Sequence, residues 1–309
     1  MAVPPGRRDA APFGSPAFRD RTEAGVALGA VLRDLLGFGF PEDPERERTD
    51  AWTAAMTSRL PGRPRVLALP RGGVPVAVGV ARALGGALDV LVVRKIGHPD
   101  APELGLGAIA EDGAGGAAEP FFDQQMLDEV HLTRADLASV VARERAELAR
   151  RAAVYGRGRA AAGAVAGAVA GADLAGQFVV VVDDGLATGV TARAALRSVR
   201  ARGAARTLLA VPVGSPAAVA AVSGDTMRNE PGRNEPGRNE PGQNEPGHNE
   251  TGEVVTVVTP RRFRSVGEWY ADFGQLTDAD VLALLPPGDS APGSRSGGPG
   301  GSPPIGTAG

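Results

Sequence analysis

The sequence predicts an α/β fold, a doubly wound and mostly parallel sheet with helices on both faces. Three observations predict it. Five continuous apolar or β-branched runs, RVLAL (65–69), DVLVV (89–93), FVVVV (178–182), RTLLAVPV (206–213) and EVVTVV (253–258), lack polar alternation, which marks strands covered on both sides. Helical patterns follow the first, third and fourth runs at 74–85, 188–202 and 215–222. Strand followed by helix followed by strand is the order of right-handed parallel crossovers.

Other segments follow from their composition. Residues 1–15 and the tail 286–309, rich in Pro, Gly and Ser, cannot bury enough apolar surface to offset chain entropy. A helix is expected at 22–36, and an insertion at 37–62 with a short helix around Trp52. Residues 92–113 have the length and Gly/Pro content of a lid. LTRADLASVVARERAELARRAAVY (132–155) reads as an amphipathic helix with Thr133 at its N-cap. Residues 156–176 read as an expanded linker or, alternatively, an Ala-rich helix. The five-residue unit RNEPG repeats between Met227 and Gly252, with a period that fits neither strand nor helix. The expected organisation is one domain over 16–285, with insertions at 37–62, 156–176 and 224–252.

The formal charge of -3 and pI near 5.8 give no bulk electrostatic reason for a nucleic-acid or anionic-membrane partner. With no cysteine, disulfides and thiolate metal sites are excluded. The opening MAVPPGRRDAAPFGSP lacks the apolar core of a secretory signal, and the Ala/Gly/Val run at 160–172 is too short to cross a bilayer. The expectation is a soluble cytoplasmic protein. Of the 33 basic residues only Lys95 is a lysine, so no Gly-Lys-Ser/Thr phosphate loop exists.

In open α/β sheets ligands sit beyond the carboxyl ends of the strands. After FVVVV come Asp183 and Asp184, then Gly185, Leu186, Ala187, Thr188, Gly189, Val190 and Thr191, then a helix. Small residues at a helix N-terminus let backbone N–H groups converge on a phosphate, and two hydroxyls add donors. Two anions beside a phosphate would repel it, so the aspartates must face hydroxyl protons or a metal. A sugar phosphate meets both demands.

VVVVDDGLATGVT resembles the phosphoribosyl-pyrophosphate (PRPP) signature of type I phosphoribosyltransferases. LALPRGGVPVA places Arg71, Gly72 and Gly73 where that family has its pyrophosphate loop, often with a non-proline cis peptide. VVRKIGHPDAPELGLGAIAEDG places Arg94 and Lys95 at the entry to the family's mobile loop, and GLGAIA is discarded as a dinucleotide fingerprint because no strand precedes it. The order FRDRTEAG (18–25), LPRGGVPVA, VVRK, PELGLGAIA, VDDGLATG and VGEWYADF (266–273) is similar to a bacterial subgroup of phosphoribosyltransferase-domain proteins of undefined substrate. The resemblance implies the type I fold with a small C-terminal hood. There Trp269, Tyr270 and Phe273 either frame a base or form an ordinary hydrophobic cluster.

By resemblance, the chain transfers a phosphoribosyl group from PRPP to a nucleobase-like nitrogen, in nucleotide salvage. Mg2+ would ride on PRPP oxygens with at most Asp183 and Asp184 as protein ligands. Arg71 and Lys95 would stabilise the leaving pyrophosphate. Hypoxanthine-guanine enzymes carry an acid where this loop has Ala187, so proton transfer would fall elsewhere, with Glu103 or Glu111 as candidates. His98, His131 and His248 form no constellation and are expected to be exposed. The alternative function is a PRPP or nucleotide sensor without turnover. Homodimers are common in the family.

Overall fold

A computed structural model of the chain describes residues 16–37, 63–113, 116–161, 174–228 and 253–285. The N-terminal stretch 1–15, the helix expected near Trp52, the RNEPG repeat with His248, and the tail 286–309 lie outside the described residues. Along the chain the elements are α1 (Arg21–Leu35), β1 (Arg65–Ala68), α2 (Gly73–Leu84), β2 (Ala87–Val90), β3 (Val93–Gly97), β4 (Gly105–Ala110), β5 (Phe121–Phe122) and α3 (Gln124–Glu129). They continue with α4 (Ala138–Ala161), β6 (Phe178–Val182), α5 (Val190–Ala201), β7 (Arg206–Val213), α6 (Pro216–Arg228), β8 (Glu253–Val258), a 3-10 turn (Val266–Trp269) and α7 (Asp278–Leu284).

Five strands form one parallel sheet in the order β2-β1-β6-β7-β8. Because side chains alternate across a strand, the apolar runs fill two separate layers. Val66, Ala68, Val180, Val182, Leu208 and Ala210 pack in one cluster with Leu28 and Leu32 of α1 and Val76 and Val80 of α2. Leu67, Val179, Val181, Leu209 and Val211 pack in the other with Leu196 and Val199 of α5 and Val222 of α6. This is the doubly wound α/β arrangement predicted above. It aligns the carboxyl ends of β1 and β6, with Ala68 opposite Val182.

The segment DVLVV divides between two sheets. β2 ends at Val90, and Val93 begins an antiparallel sheet in the order β3-β4-β5. The stretch expected as a lid is therefore mostly a hairpin, with 98–104 as its connection. GLGAIA is β4 itself, buried along its whole length between helices on either side. Its glycines read locally as a loop, whereas burial on both faces makes it a strand.

Thr133 and Asp136 bond reciprocally, but they cap a turn at 134–137, and α4 starts only at Ala138. α4 runs on to Ala161, so residues 156–161 of the expected linker are helical. The two ends of the domain lie together: Phe18 N–H donates to Trp269 O at 3.0 Å, and Ala271 and Asp272 N–H donate to Phe18 and Arg19 carbonyls at 2.9 and 2.8 Å. The C-terminal segment is thus joined to the N-terminal one, and the Tyr155 hydroxyl donates to Asp278 at 2.8 Å, anchoring α7 to α4.

Candidate functional site

The loops after β1 and β6 meet at the carboxyl edge of the sheet. Leu69 N–H donates to Val182 O at 2.8 Å, continuing the β1–β6 pairing past the strand ends. The next peptide bond but one, Pro70–Arg71, is cis. Gly72 then passes under the Asp184 side chain: a Cβ placed there would overlap the carboxylate, with its carbon only 2.5 Å away. Only a residue without a side chain lets the loops approach this closely.

After β6 the chain turns through Asp183–Gly189 into α5. Gly189 takes φ 81°, a left-handed conformation at the helix N-cap, with no side-chain cap. Ser215 pins the turn from the β7 side, its hydroxyl donating to Ala187 O at 2.8 Å while its N–H donates to Leu186 O. No protein acceptor takes the N–H groups of Ala187, Thr188 or Gly189 among the described residues. Ala187 and Thr188 are exposed, so these amides sit at the mouth of the turn at a helix N-terminus, where an anion is favoured.

The two aspartates differ. Asp184 accepts from Arg21 Nε at 2.8 Å, and both side chains are close to buried, at 15% and 12% exposure. Arg21 also donates to Gly274 O at 2.9 Å and lies 3.8 Å over the Phe273 ring. The Asp184 backbone carbonyl accepts the Tyr270 hydroxyl at 2.6 Å. Asp183 forms no ion pair among the described residues and accepts only the Asp184 N–H, at 2.8 Å. Burial pushes both carboxyls above the usual carboxylate range. At Asp183 the neighbouring Asp184 charge adds to the rise, whereas at Asp184 the direct Arg21 hydrogen bond opposes it.

The sequence pattern of the phosphoribosyl transferase domain matches residues 61–229, which contain both of these loops. The chain belongs to the phosphoribosyl transferase domain family. It is 39% identical over 220 residues to two Mycobacterium tuberculosis proteins, of strains CDC 1551 and H37Rv, provisionally named phosphoribosyl transferases. That match takes in 71% of this chain but 41% of theirs, so the chain spans less than half the length of these relatives. The crystal structure of TT1426 from Thermus thermophilus is 35% identical, with a TM-score of 0.57 over 87% of this chain and 97% of that one.

Within this phosphoribosyl transferase domain the sequence-predicted residues separate into groups. Arg71, Gly72, Gly73, Asp183, Asp184, Gly185, Ala187, Thr188, Gly189 and Thr191 all lie on the two loops and the first residues of α2 and α5. Arg71 is half-buried; its carbonyl accepts Val74 N–H at 3.3 Å, and its side chain makes no hydrogen bond or ion pair among the described residues. Leu186 and Val190 belong to the core, and the Leu186 N–H donates to Val213 O, so Leu186 supports the turn from inside. Of these two, Val190 keeps a backbone N–H at the start of α5.

Arg94 does not lean toward the loops as expected. Two guanidinium nitrogens, Nη2 and Nε, donate to the one oxygen Oε2 of Glu144 on α4, at 2.8 and 3.0 Å, where they fasten the hairpin to that helix. Lys95 is partly exposed and donates to Glu103 O at 3.0 Å, with Glu103 Oε2 at 3.4 Å. Tyr270 is buried, between Phe18 and Phe273, with its hydroxyl engaged and its ring stacked on Phe273, so it braces the turn and does not offer its face to a ligand. Trp269 is half-buried against the α1 side of the core, which favours the cluster over the base-framing alternative.

Glu111 lies elsewhere. It accepts Val92 N–H at 3.2 Å, and its own carbonyl accepts the Ser198 hydroxyl near the C-terminal end of α5, roughly two helical turns from the phosphate-ready end. It is therefore no candidate for proton transfer in this site. His98 is half-buried, its Nδ1 accepting Asp100 N–H, and His131 is exposed. Arg21 and Ser215 were missed as site residues. Arg21 stands within FRDRTEAG, a segment that carried the resemblance without an assigned role.

No group of three or more His, Cys, Asp and Glu side chains among the described residues could hold a metal ion. Protein ligation here comes down to the Asp183 carboxylate, since Asp184 is taken by Arg21. No helix among the described residues is long and apolar enough to cross a membrane.

Proposed function

We propose that the chain transfers the 5-phosphoribosyl group of PRPP to a nitrogen of a nucleobase or related heterocycle, with release of pyrophosphate. The observation that carries this reading is the joining of the two loops at Gly72 and Asp184, which brings the loop of Arg71 onto one surface with the anion-ready turn and the Asp183 carboxylate. The N–H groups from Ala187 to Thr191 receive the 5′-phosphate, and the Thr188 and Thr191 hydroxyls add donors. Asp183 accepts from ribose hydroxyls.

In the reaction the bond from C1′ to the pyrophosphate oxygen breaks and its electron pair leaves with pyrophosphate. The nitrogen lone pair forms the new bond to C1′ on the opposite face, and the nitrogen's proton passes to solvent. Arg71, Lys95 and the Gly72 N–H serve the leaving group, in a mechanism of positioning and electrostatics, while the Gly73 N–H is taken by the Leu69 carbonyl. A substrate-borne Mg2+ would find Asp183 as its protein ligand, and when bound it would offset charge on the leaving group.

The test is incubation with PRPP, Mg2+ and a panel of purines and pyrimidines, following pyrophosphate release. Release that depends on one acceptor supports transfer. PRPP binding with no release for any base supports the sensor instead, and absence of PRPP binding overturns both readings.

A further inference from the structure

Two adjacent carboxylates at one strand end suggest that both serve the ligand, yet their surroundings differ sharply. Asp184 is held through its side chain by Arg21 at 2.8 Å, through its backbone carbonyl by Tyr270 at 2.6 Å, and from below by Gly72. Arg21 is itself held on three sides, by Asp184, by Gly274 O at 2.9 Å and by the face of Phe273 at 3.8 Å. It is the first residue of α1, whose start is fixed by the Asp20 side chain accepting Glu23 N–H at 2.8 Å. The Asp183 side chain has one partner, the Asp184 N–H on Oδ1, and no cation; Oδ2 takes no hydrogen bond among the described residues, nor does Asp184 Oδ1, so the difference between the two side chains is the Arg21 pair.

Resting on the phosphoribosyl reading, we propose that Arg21 is a positioning residue that withdraws Asp184 from ligand contact, leaving Asp183 as the single carboxylate offered to the sugar. Charge supports this division. With both aspartates ionised, against the rise that burial imposes on each, and one guanidinium, the sum is a single negative charge, minus two plus one, beside a ligand that is itself strongly anionic. Without Arg21 a second anion would stand at the same crevice, partly shielded from water, where like charges repel most. Geometry supports it as well: the shared hydrogen bond fixes the Asp184 carboxylate directly over Gly72, in the narrow gap between the two loops. The N-terminal segment before the matched domain is then part of the site, because it delivers the cation, and Gly274 and Phe273 of the C-terminal segment orient it.

The inference is tested by titrating PRPP with Mg2+ into the full chain and a set of variants by calorimetry, with thermal unfolding run on each. Arg21→Gln is expected to weaken PRPP binding about tenfold. The pair Arg21→Gln/Asp184→Asn, which removes the uncompensated charge, is expected to recover most of that loss, and Arg21→Lys to recover part of it. Asp183→Asn is expected to weaken binding about tenfold in either background. Asp184→Asn costing as much as Asp183→Asn, with no recovery in the paired variant, would overturn the inference while leaving the phosphoribosyl reading intact. Should Arg21→Gln fail to fold, Arg21→Lys against Asp184→Asn and Asp183→Asn decides the same question. Absence of PRPP binding by the wild-type chain would overturn the functional reading, and the inference with it.

Discussion

Gly72 and the Asp184 carboxylate are in such close contact that a single methyl group on Gly72 would occupy space now filled by the carboxylate. Residues 112 positions apart in sequence thereby meet on one surface, joining the loop after β1 to the loop after β6. Gly72→Ala must push Asp184 away from Arg21. Overpacking of this kind costs about 1–3 kcal/mol. Loss of a charged hydrogen bond, about 1.5–3 kcal/mol, corresponds to a PRPP affinity lower by roughly tenfold to a hundredfold. Urea unfolding and PRPP titration of the variant check both figures, and an unchanged affinity would show that the loops act independently.

Tyr270→Phe isolates the brace on the same turn. The ring packing against Phe18 and Phe273 is preserved, and only the hydroxyl that donates to Asp184 O is removed. A buried carbonyl left without its donor costs about 1–3 kcal/mol. The variant should unfold at lower urea concentration with an unchanged m value, and PRPP binding should weaken because the Asp184 backbone is less firmly fixed. Equal unfolding midpoints for wild type and variant would rule the brace out.

The sheet was legible in the sequence because its central strands are buried on both faces, and FVVVV or RTLLAVPV has no other stable setting than a covered strand. The turn from Asp183 to Thr191 was legible because an anion site at a helix start requires small residues in a short span. The β3–β4 hairpin was not, since glycines in GLGAIA locally signal a loop while their burial depends on α4 and α5, which arrive later in the chain. Arg94 and Lys95 look equivalent as neighbours in sequence. Alternation sends one to Glu144 on α4 and the other to the opposite face of the hairpin, and only knowledge of α4's position separates them. Arg21 was invisible for a related reason: its partner, its acceptor and its aromatic platform are Asp184, Gly274 and Phe273, none of them local.

Glu111 gives the fold a dependence on pH that has nothing to do with the site. Burial, opposed by the Val92 N–H and the Arg202 charge, pushes its carboxyl up from 4.5 to about 7. Between those values the folded chain keeps a proton that the unfolded chain releases, so this group lowers stability as pH rises through that window. The full effect is on the order of 3 kcal/mol. Glu111→Gln retains an oxygen for the Val92 N–H and removes the titration, so the variant should gain on wild type in urea unfolding at pH 8 relative to pH 5. A constant difference between the two chains across that range would mean that Glu111 ionises as freely folded as unfolded.

Lys95 is where binding and stability can be told apart. Its ammonium rests on the Glu103 carbonyl, and the Glu103 side chain is fully exposed, so the pair contributes little to folding. Lys95→Ala should therefore leave the unfolding midpoint nearly unchanged. On the phosphoribosyl reading it removes a point charge from the leaving pyrophosphate, and a charged hydrogen bond of about 1.5–3 kcal/mol predicts at least a roughly tenfold fall in the rate of pyrophosphate release. Lys95→Arg should restore only part of it, because a planar fork does not replace a compact ammonium on the same backbone. Glu103→Ala removes the exposed carboxylate and leaves the carbonyl contact to the ammonium in place, so fold and rate should both stay close to wild type. A Lys95→Ala chain that releases pyrophosphate at the wild-type rate would remove Lys95 from the reaction and return it to the hairpin as a surface residue.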